Sequence, residues 1–461
     1  MLILNEQKNA LRILKNYSHI FITGPAGCGK TFLVDYYAKN YCKNLHVIKC
    51  CFTGFATNNL TKDKEDDLLG TIHDVFKLFN ISNVITNNYP IKMDLVKIIA
   101  KYDVIIIDEI SMVRIDIFEY IIKIISKANY FRRFGNDIQL IVVGDFYQLP
   151  PIINKNELKI LKKIYKTTDG FAFESSLWYQ LHFKIVELKH NFRQENNIYF
   201  KYLQLIRKNK NLSIAINYFN KALKNNLLSK NNITFLCQTN KQVDYYNKKM
   251  LNKIKGQSIE INAYYDHEIR HDLSKKILKF DDLGFVRSLY LKPQALVMFT
   301  KNDKLVKNKN RRFVNGDLAY VISCDPEKVV VKLIKNNKIV HLHKYNCQYE
   351  LYKKPKLIFN TIVQDQYIGL LKQYPLKLAY GLTIHKAQGK TLGNIVLKLN
   401  QKNNFLSHGI LYTALSRIKS LENLQLTNKL TLTQIQANPK VIAFYQRINM
   451  TKYQLMDEIF K

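Results

Sequence analysis

The sequence predicts an α/β protein built on parallel sheet, with a β-rich insertion in its second half. Three observations predict this class. Short apolar runs recur through the first 150 residues, each ending in polar or turn residues. A glycine-rich turn, Gly24 to Thr31, joins one such run to an amphipathic stretch. Beyond about residue 251 the pattern changes to short alternating runs between turn residues, and near residue 378 it changes back.

Taken in order, His19 to Thr23 (HIFIT) is a strand and Lys30 to about Cys42 a helix. His46 to Cys51, Val104 to Ile107 and Gln139 to Val143, the last stopping at Gly144-Asp145, are further strands. Continuous apolar runs of this length suit strands covered on both faces by helices. Ala319 to Ile322 and Lys328 to Ile334 alternate instead and lie between Asn, Asp, Gly and Lys turns. α/β character returns with LAYGLTIHKAQGKTL and the strand-like NIVLKL. At 461 residues the chain exceeds what one core usually supports. We therefore expect a first domain over 1–185, with a small insertion at about 57–72. A discontinuous second domain is expected over 186–250 and 372–461, interrupted by the β-rich insertion at 251–371.

Hydrophobic residues make up 47% of the chain and charged residues 23%, which excludes a disordered protein. Lysine and arginine number 71 against 36 acidic residues, a formal charge of +35. Two causes fit that excess: binding to a polyanion, and the codons of an AT-rich genome, which also favour Asn, Ile and Tyr. The basic residues are dispersed, so they do not locate a surface. Seven scattered cysteines with no CxxC pair suggest reduced thiols and an intracellular protein, with nucleus, cytoplasm and viral factory not distinguished. The N-terminus lacks an apolar signal region, and its short leader leads us to expect no appended recruitment domain. No segment approaches the roughly 20 apolar residues of a membrane span.

Gly24-Pro25-Ala26-Gly27-Cys28-Gly29-Lys30-Thr31 fits G-x-x-x-x-G-K-[ST] in full, between a strand and a helix. Glycines at 24, 27 and 29 let backbone N–H groups converge on a β-phosphate at a helix N-terminus. Lys30 would neutralise the β- and γ-oxygens of ATP, and Thr31 would offer its hydroxyl to Mg²⁺. Asp108 and Glu109 end an apolar strand, the edge where ligands bind in parallel sheets. Asp108 suits Mg²⁺, and Glu109 suits orienting and deprotonating a water. Gln148, in Gly144-Asp145-Phe146-Tyr147-Gln148, is placed to sense a γ-phosphate. Cys28, at the helix N-terminus near Lys30, is expected to have a lowered pKa and a reactive thiol. Cys50 and Cys51 are expected to be more buried and slower to react.

These residues resemble the Pif helicases (petite integration frequency), superfamily-one DNA helicases of 5′-to-3′ polarity. LNEQKNAL around Gln7 is similar to their adenine-binding Q motif, and GPAGCGKT to motif one. IIIDEISMV and VVGDFYQLPPI are similar to motifs two and three, and ELKHNFRQ to motif four. LTIHKAQGKTL and LYTALSRIKSLENL are similar to motifs five and six. The resemblance runs from residue 5 to about 424 and implies two RecA-like parallel-sheet domains, with an SH3-like insertion in the second. It further implies that Gln7 reads adenine, that Arg193 and Arg417 meet the γ-phosphate, and that Gln388 and Gly389 lie near the nucleotide. Thr53, Gly54, His73, Thr383 and His385 would contact DNA phosphates. Phe173 and Trp178 recur in the family and read as core packing. One departure is the acidic stretch TKDKEDDLL before His73, whose Asp63, Glu65, Asp66 and Asp67 read as a solvated loop held away from DNA.

The resemblance therefore implies a DNA-stimulated ATPase that translocates on single-stranded DNA and unwinds duplex or forked DNA in replication, repair or recombination. ATP and Mg²⁺ are its expected cofactors. A monomer is expected when free, protein partners are not specified, and no membrane is involved. RecD-like enzymes, a superfamily-one RNA helicase and a non-motor nucleotide clamp remain as alternatives. Intact Lys30, Glu109, Gln148, Arg193 and Arg417 argue against the clamp.

Overall fold

A computed structural model of the chain describes residues 4–52, 60, 67–78, 90–132, 135–194, 197–227, 233–265, 284–303, 311–352, 356–358, 361–363, 366–399, 407–432, 435 and 437–448. It divides into two compact units, Met1–Gln238 with Thr383–Lys461, and Thr239–Leu382.

The first unit holds a six-stranded sheet made of β1 (His19–Thr23), β2 (Val47–Cys51), β3 (Leu68–Thr71), β4 (Val104–Asp108), β5 (Gln139–Val143) and β6 (Lys184–Glu187). Their order across the sheet is β3-β2-β4-β5-β1-β6, and every neighbouring pair is parallel. β4, β5 and β1 therefore lie side by side with their carboxyl ends at one edge. That edge receives the glycine-rich turn after β1, Asp108 at the end of β4, and the Gly144–Gln148 turn after β5. Helix Ile115–Phe131 is apolar over most of its surface and is correspondingly buried. A second parallel set in the same unit joins β7 (Ile233–Cys237) to Asn394–Lys398, and that strand to Leu424–Leu426.

Two polar positions break the apolar pattern of this sheet. Lys49, in the middle of β2, is 2% exposed and pairs with Asp35 at 2.8 Å, since a buried ammonium requires a partner. Asp67 corrects the expectation of a solvated acidic loop: it is buried, and its Oδ1 accepts the Val47 N–H at 3.0 Å, pinning the start of β2. Asp63, Glu65 and Asp66 lie outside the described residues.

Phe173 and Trp178 are core residues, as expected from their sequence context. Phe173 stacks on Phe444 at 4.3 Å and meets Phe146 edge-on at 4.8 Å, while Trp178 meets Phe21 at 5.3 Å. Offset and edge-on ring pairs of this kind add to the gain from burial. They anchor the helix 439–448 against the first sheet.

The second unit is dominated by antiparallel strands. Leu318–Cys324 pairs with Leu296–Phe299 on one side and Val329–Leu333 on the other, and Ile339–Leu342 follows. Along Leu318–Ile322 exposed and buried residues alternate, as a strand with one solvated face requires. Val297, Phe299, Phe313, Ala319, Val321 and Val331 form its core, with Phe299 stacked on Phe313 at 3.9 Å. The β-rich insertion expected from alternation is thus present. No helix among the described residues is long and apolar enough to cross a membrane.

Candidate active site

The turn after β1 folds as its glycines demand. Gly24, Gly27 and Gly29 have φ of 143°, 87° and 76°, which L side chains rarely adopt. Space excludes a side chain as well: a Cβ at Gly24 would lie 2.2 Å from Leu188 O, and one at Gly27 would lie 2.6 Å from Arg193 Cβ. Gly29 caps helix Lys30–Tyr41. Lys30 Nζ donates to Gly24 O at 2.7 Å and Pro25 O at 2.9 Å, so its charge lies over its own loop.

Thr31 Oγ1 donates to Asp108 Oδ2 at 2.6 Å, and the Glu109 N–H donates to Asp108 Oδ1 at 2.7 Å. Burial, followed by the neighbouring Glu109 carboxylate, pushes Asp108 up to about 7. Glu109 has φ 54° and ψ 46°, a left-handed conformation that is uncommon for a non-glycine residue. Its carboxylate accepts from Gln388 Nε2 at 3.0 Å.

Both arginines come within reach of these groups. Arg193 Nη1 donates to Ser416 O at 2.9 Å. Arg417 is 1% exposed; its Nη2 bonds Gln148 Oε1 at 3.3 Å and Ser416 Oγ, and its Nε bonds Thr413 O at 2.9 Å. Burial, and then repulsion from Arg193, bring its pKa down to about 9. A cavity of about 480 Å³ is lined by Lys30, Thr31, Asp108, Glu109, Gln148, Arg193 and Arg417, together with Ala26, Gly27, Gly29 and Gly389. Gly24, Pro25, Cys28, Gln7 and Gln388 are not part of its lining. Gln7 is buried beside the loop: its Oε1 accepts the Leu4 N–H at 3.2 Å, and its Nε2 lies 3.4 Å from where a Gly29 Cβ would be.

Cys28 is a correction. It is 1% exposed, and burial outweighs the nearby Lys30, pushing its thiol up to about 11. The residue is buried in the apolar cluster that includes Leu11, Ile22 and Leu33, so desolvation of the thiolate exceeds the help from positive charge. Cys50 is fully buried and its thiol is raised further, by burial and then by Asp108, so it is the slower of the two as expected, although Cys28 is no thiolate near neutral pH either. ATPase activity should accordingly survive brief maleimide treatment with no protection by ATP, and the Cys28→Ala variant should match the parent. Rapid inactivation of the parent alone would restore the reactive thiol.

Of the residues expected to touch DNA, Thr53 and Gly54 lie outside the described residues. His73 and His385 are partly buried, and burial lowers both imidazoles, leaving them neutral N–H donors near pH 7. His73 packs edge-on against Phe52 at 5.5 Å. Thr383 Oγ1 caps the short helix Ile384–Ala387 by accepting the Lys386 N–H, and Thr71 Oγ1 caps Ile72–Val75 through the Asp74 N–H. The two T-I-H segments thus fold alike, a local correspondence visible in the letters once it is sought.

Several residues of the site escaped the sequence reading. Phe32, Asp35, Phe192, Thr391 and Lys419 also line the cavity. Phe192, 40% exposed, presents its ring beside Gly29, and its position next to Arg193 was the available signal. Asp145 is completely buried and accepts from Arg207 Nε and Nη2, both at 3.0 Å, and from Tyr412 Oη at 3.0 Å. Tyr412 Oη in turn accepts the Ala26 N–H at 2.8 Å, joining the glycine loop to the helix before Arg417. Nothing local marks Tyr412 or Arg207, because their partners are distant in the chain.

The family described as PIF1-like helicase matches residues 3–214. An ATP-dependent DNA helicase Pif1 of Campylobacter jejuni is 28% identical over 96% of this chain and 98% of its own length. A crystal structure of Pif1 helicase from Bacteroides in complex with ADP-AlF3 and ssDNA is similar with a TM-score of 0.76 at 25% identity, covering 98% of each chain. The crystal structure of Pif1 helicase from Candida albicans is similar with a TM-score of 0.73 at 25% identity, covering 98% of this chain and all of that one.

Proposed function

We propose that this chain, whose residues 3–214 match the PIF1-like helicase family, is an ATP-dependent DNA helicase that moves 5′ to 3′ on single-stranded DNA and unwinds duplex DNA. The observation that carries this reading is the convergence of Lys30, Thr31, Asp108, Glu109, Gln148, Arg193 and Arg417 on one cavity, from five separate stretches of sequence. A clamp that only held nucleotide would need the loop and Lys30 but not a carboxylate and two arginines facing them.

In this reading the loop N–H groups and Lys30 bind the β- and γ-phosphates, and Phe192 and Gln7 recognise the adenine. The Thr31 hydroxyl and Asp108 carboxylate, 2.6 Å apart, are the hard oxygen donors that Mg²⁺ prefers, and they would hold it. Held there, it would supply positive charge against the phosphates. Glu109 takes the proton of the attacking water as the water oxygen bonds to the γ-phosphorus, and the β–γ bridging oxygen leaves with ADP. Arg193 and Arg417 stabilise the charge that grows on the γ-phosphoryl oxygens. His73, Thr383 and His385 grip phosphates without reading bases. We assign one motor domain to 1–185, the other to 186–250 with 372–461, and the insertion to 251–371. The parallel set formed by β7, Asn394–Lys398 and Leu424–Leu426 supports the second motor domain. Seven cysteines, each a thiol and not half of a disulfide, support a reducing compartment.

A strand-displacement assay tests the function. With ATP and Mg²⁺, a DNA duplex bearing a 5′ single-stranded tail should be unwound, and the same duplex with a 3′ tail should not. Unwinding from the 3′ tail alone overturns the polarity, and unwinding of RNA alone overturns the substrate. Affinity for single-stranded DNA should fall steeply with added salt as phosphate contacts release counterions. A flat salt response would assign the +35 charge to codon usage.

A further inference from the structure

Glu109 is held by a side chain that the hydrolysis scheme above does not require. Gln388 Nε2 donates to Glu109 Oε2 at 3.0 Å and lies 3.3 Å from Ser111 Oγ, in a side chain only 2% exposed. The other end of the same amide, Oε1, is buried without a hydrogen-bond partner. Exchanging the two ends would aim a carbonyl oxygen at a carboxylate, so Glu109 sets the amide's orientation. A buried amide with one end committed and the other unmet marks an arrangement poised against an alternative.

The turn carrying Gln388 is tied to a second catalytic group. Arg417 Nη1 lies 3.5 Å from Ala387 O and 3.3 Å from Lys390 O, on either side of Gln388. The same turn ends the short helix Ile384–Ala387, which contains His385. One short segment thus joins the proposed DNA contact, the arginine finger and the general base.

We propose that Gln388 is a positioning residue that withholds Glu109 from the attacking water until nucleotide and single-stranded DNA have both engaged the turn Ala387–Lys390. This rests on the function proposed above. Arg417, drawn to the γ-phosphate, gives up the carbonyls of Ala387 and Lys390. DNA held at His385 shifts the released turn, Gln388 leaves with it, and Glu109 Oε2 becomes free to receive the water proton. DNA stimulation of the ATPase is then set largely by one hydrogen bond.

The test is steady-state ATPase with and without saturating oligo(dT), on the parent and on Gln388→Met and Gln388→Asn. Methionine keeps the length and bulk of the side chain and removes the unmet acceptor, while asparagine keeps the amide but is one methylene too short. Both should raise the DNA-free kcat by about tenfold or more, the factor that a hydrogen bond to a charged group is worth. The DNA-saturated kcat and the KM for ATP should stay near the parent's, so the stimulation ratio collapses. A ratio equal to the parent's, or a parallel fall of both rates as a merely structural residue would give, overturns the latch. Absence of any oligo(dT) stimulation in the parent overturns the helicase reading instead, and that is read without either variant.

Discussion

Arg417→Ala is expected to lower the kcat of DNA-stimulated ATP hydrolysis by on the order of 10³ or more, the contribution of an arginine finger. The guanidinium is buried in the cavity wall beside Gln148 and is held through Nε and Nη2 by Thr413 O and Ser416 Oγ, so only Nη1 has to change partners to meet a γ-phosphate. Its depressed pKa, about 9, reflects first its burial and then repulsion from the nearby Arg193. A γ-phosphate would offset that cost, so on the proposed reading the pair should stabilise charge strongly in a desolvated site. Alanine also leaves buried carbonyls unmet, so thermal unfolding is measured alongside turnover. Arg417→Lys separates the two effects: it keeps the charge but not the planar fork, and should remain folded while losing most of the rate. Arg193→Ala should behave similarly in kcat. Near-normal turnover by either alanine variant would remove that arginine from the site.

Glu109→Gln should lower kcat by roughly 10² to 10⁴, the usual contribution of a general base, while ATP and Mg²⁺ should still bind. Glutamine preserves shape, and its amide oxygen can still accept from Gln388. Removing the carboxylate also removes the second-largest cause of the raised Asp108 pKa, so Asp108 becomes more fully ionised near pH 7 and metal binding does not suffer. Fluorescent nucleotide binding with and without Mg²⁺, measured beside single-turnover hydrolysis, distinguishes loss of chemistry from loss of binding. Loss of ATP binding would mean that the Asp108–Glu109 pair has been assigned to the wrong place.

The sheet edge was legible because its signals are local. A strand followed by GPAGCGKT forces a tight turn through its glycines, whatever surrounds it, and VIII before Asp108 and Glu109 is apolar enough to be read as buried strand. Cys28 misled for the opposite reason. Position at a helix N-terminus argues for a thiolate, but the thiol's pKa depends on how deeply the residue is buried, and its apolar cover comes partly from distant residues such as Leu11 and Leu188. Asp67 is similar: acidic neighbours in sequence suggest solvent, whereas its partner, the Val47 N–H, lies 20 positions away. Asp145 and Tyr412 owe their placement to a network that spans 267 positions, and no periodicity records it.

By itself the sequence determined the α/β class, the β-rich insertion and the residue types able to bind phosphates and activate water. Each of these depends on short-range pattern, on backbone freedom at particular glycines, or on side-chain chemistry that any fold would retain. Tertiary structure alone decided how these groups are presented to one another. It drew Lys30 back over its own loop, buried Arg417 beside Arg193, closed off Cys28, and gave the donor of Gln388 to Glu109 rather than to the cavity. These are outcomes of burial and of hydrogen-bond competition among partners far apart in the chain. Both depend on which surfaces meet when the strands take the order β4-β5-β1 and Thr383–Lys461 folds back into the same unit.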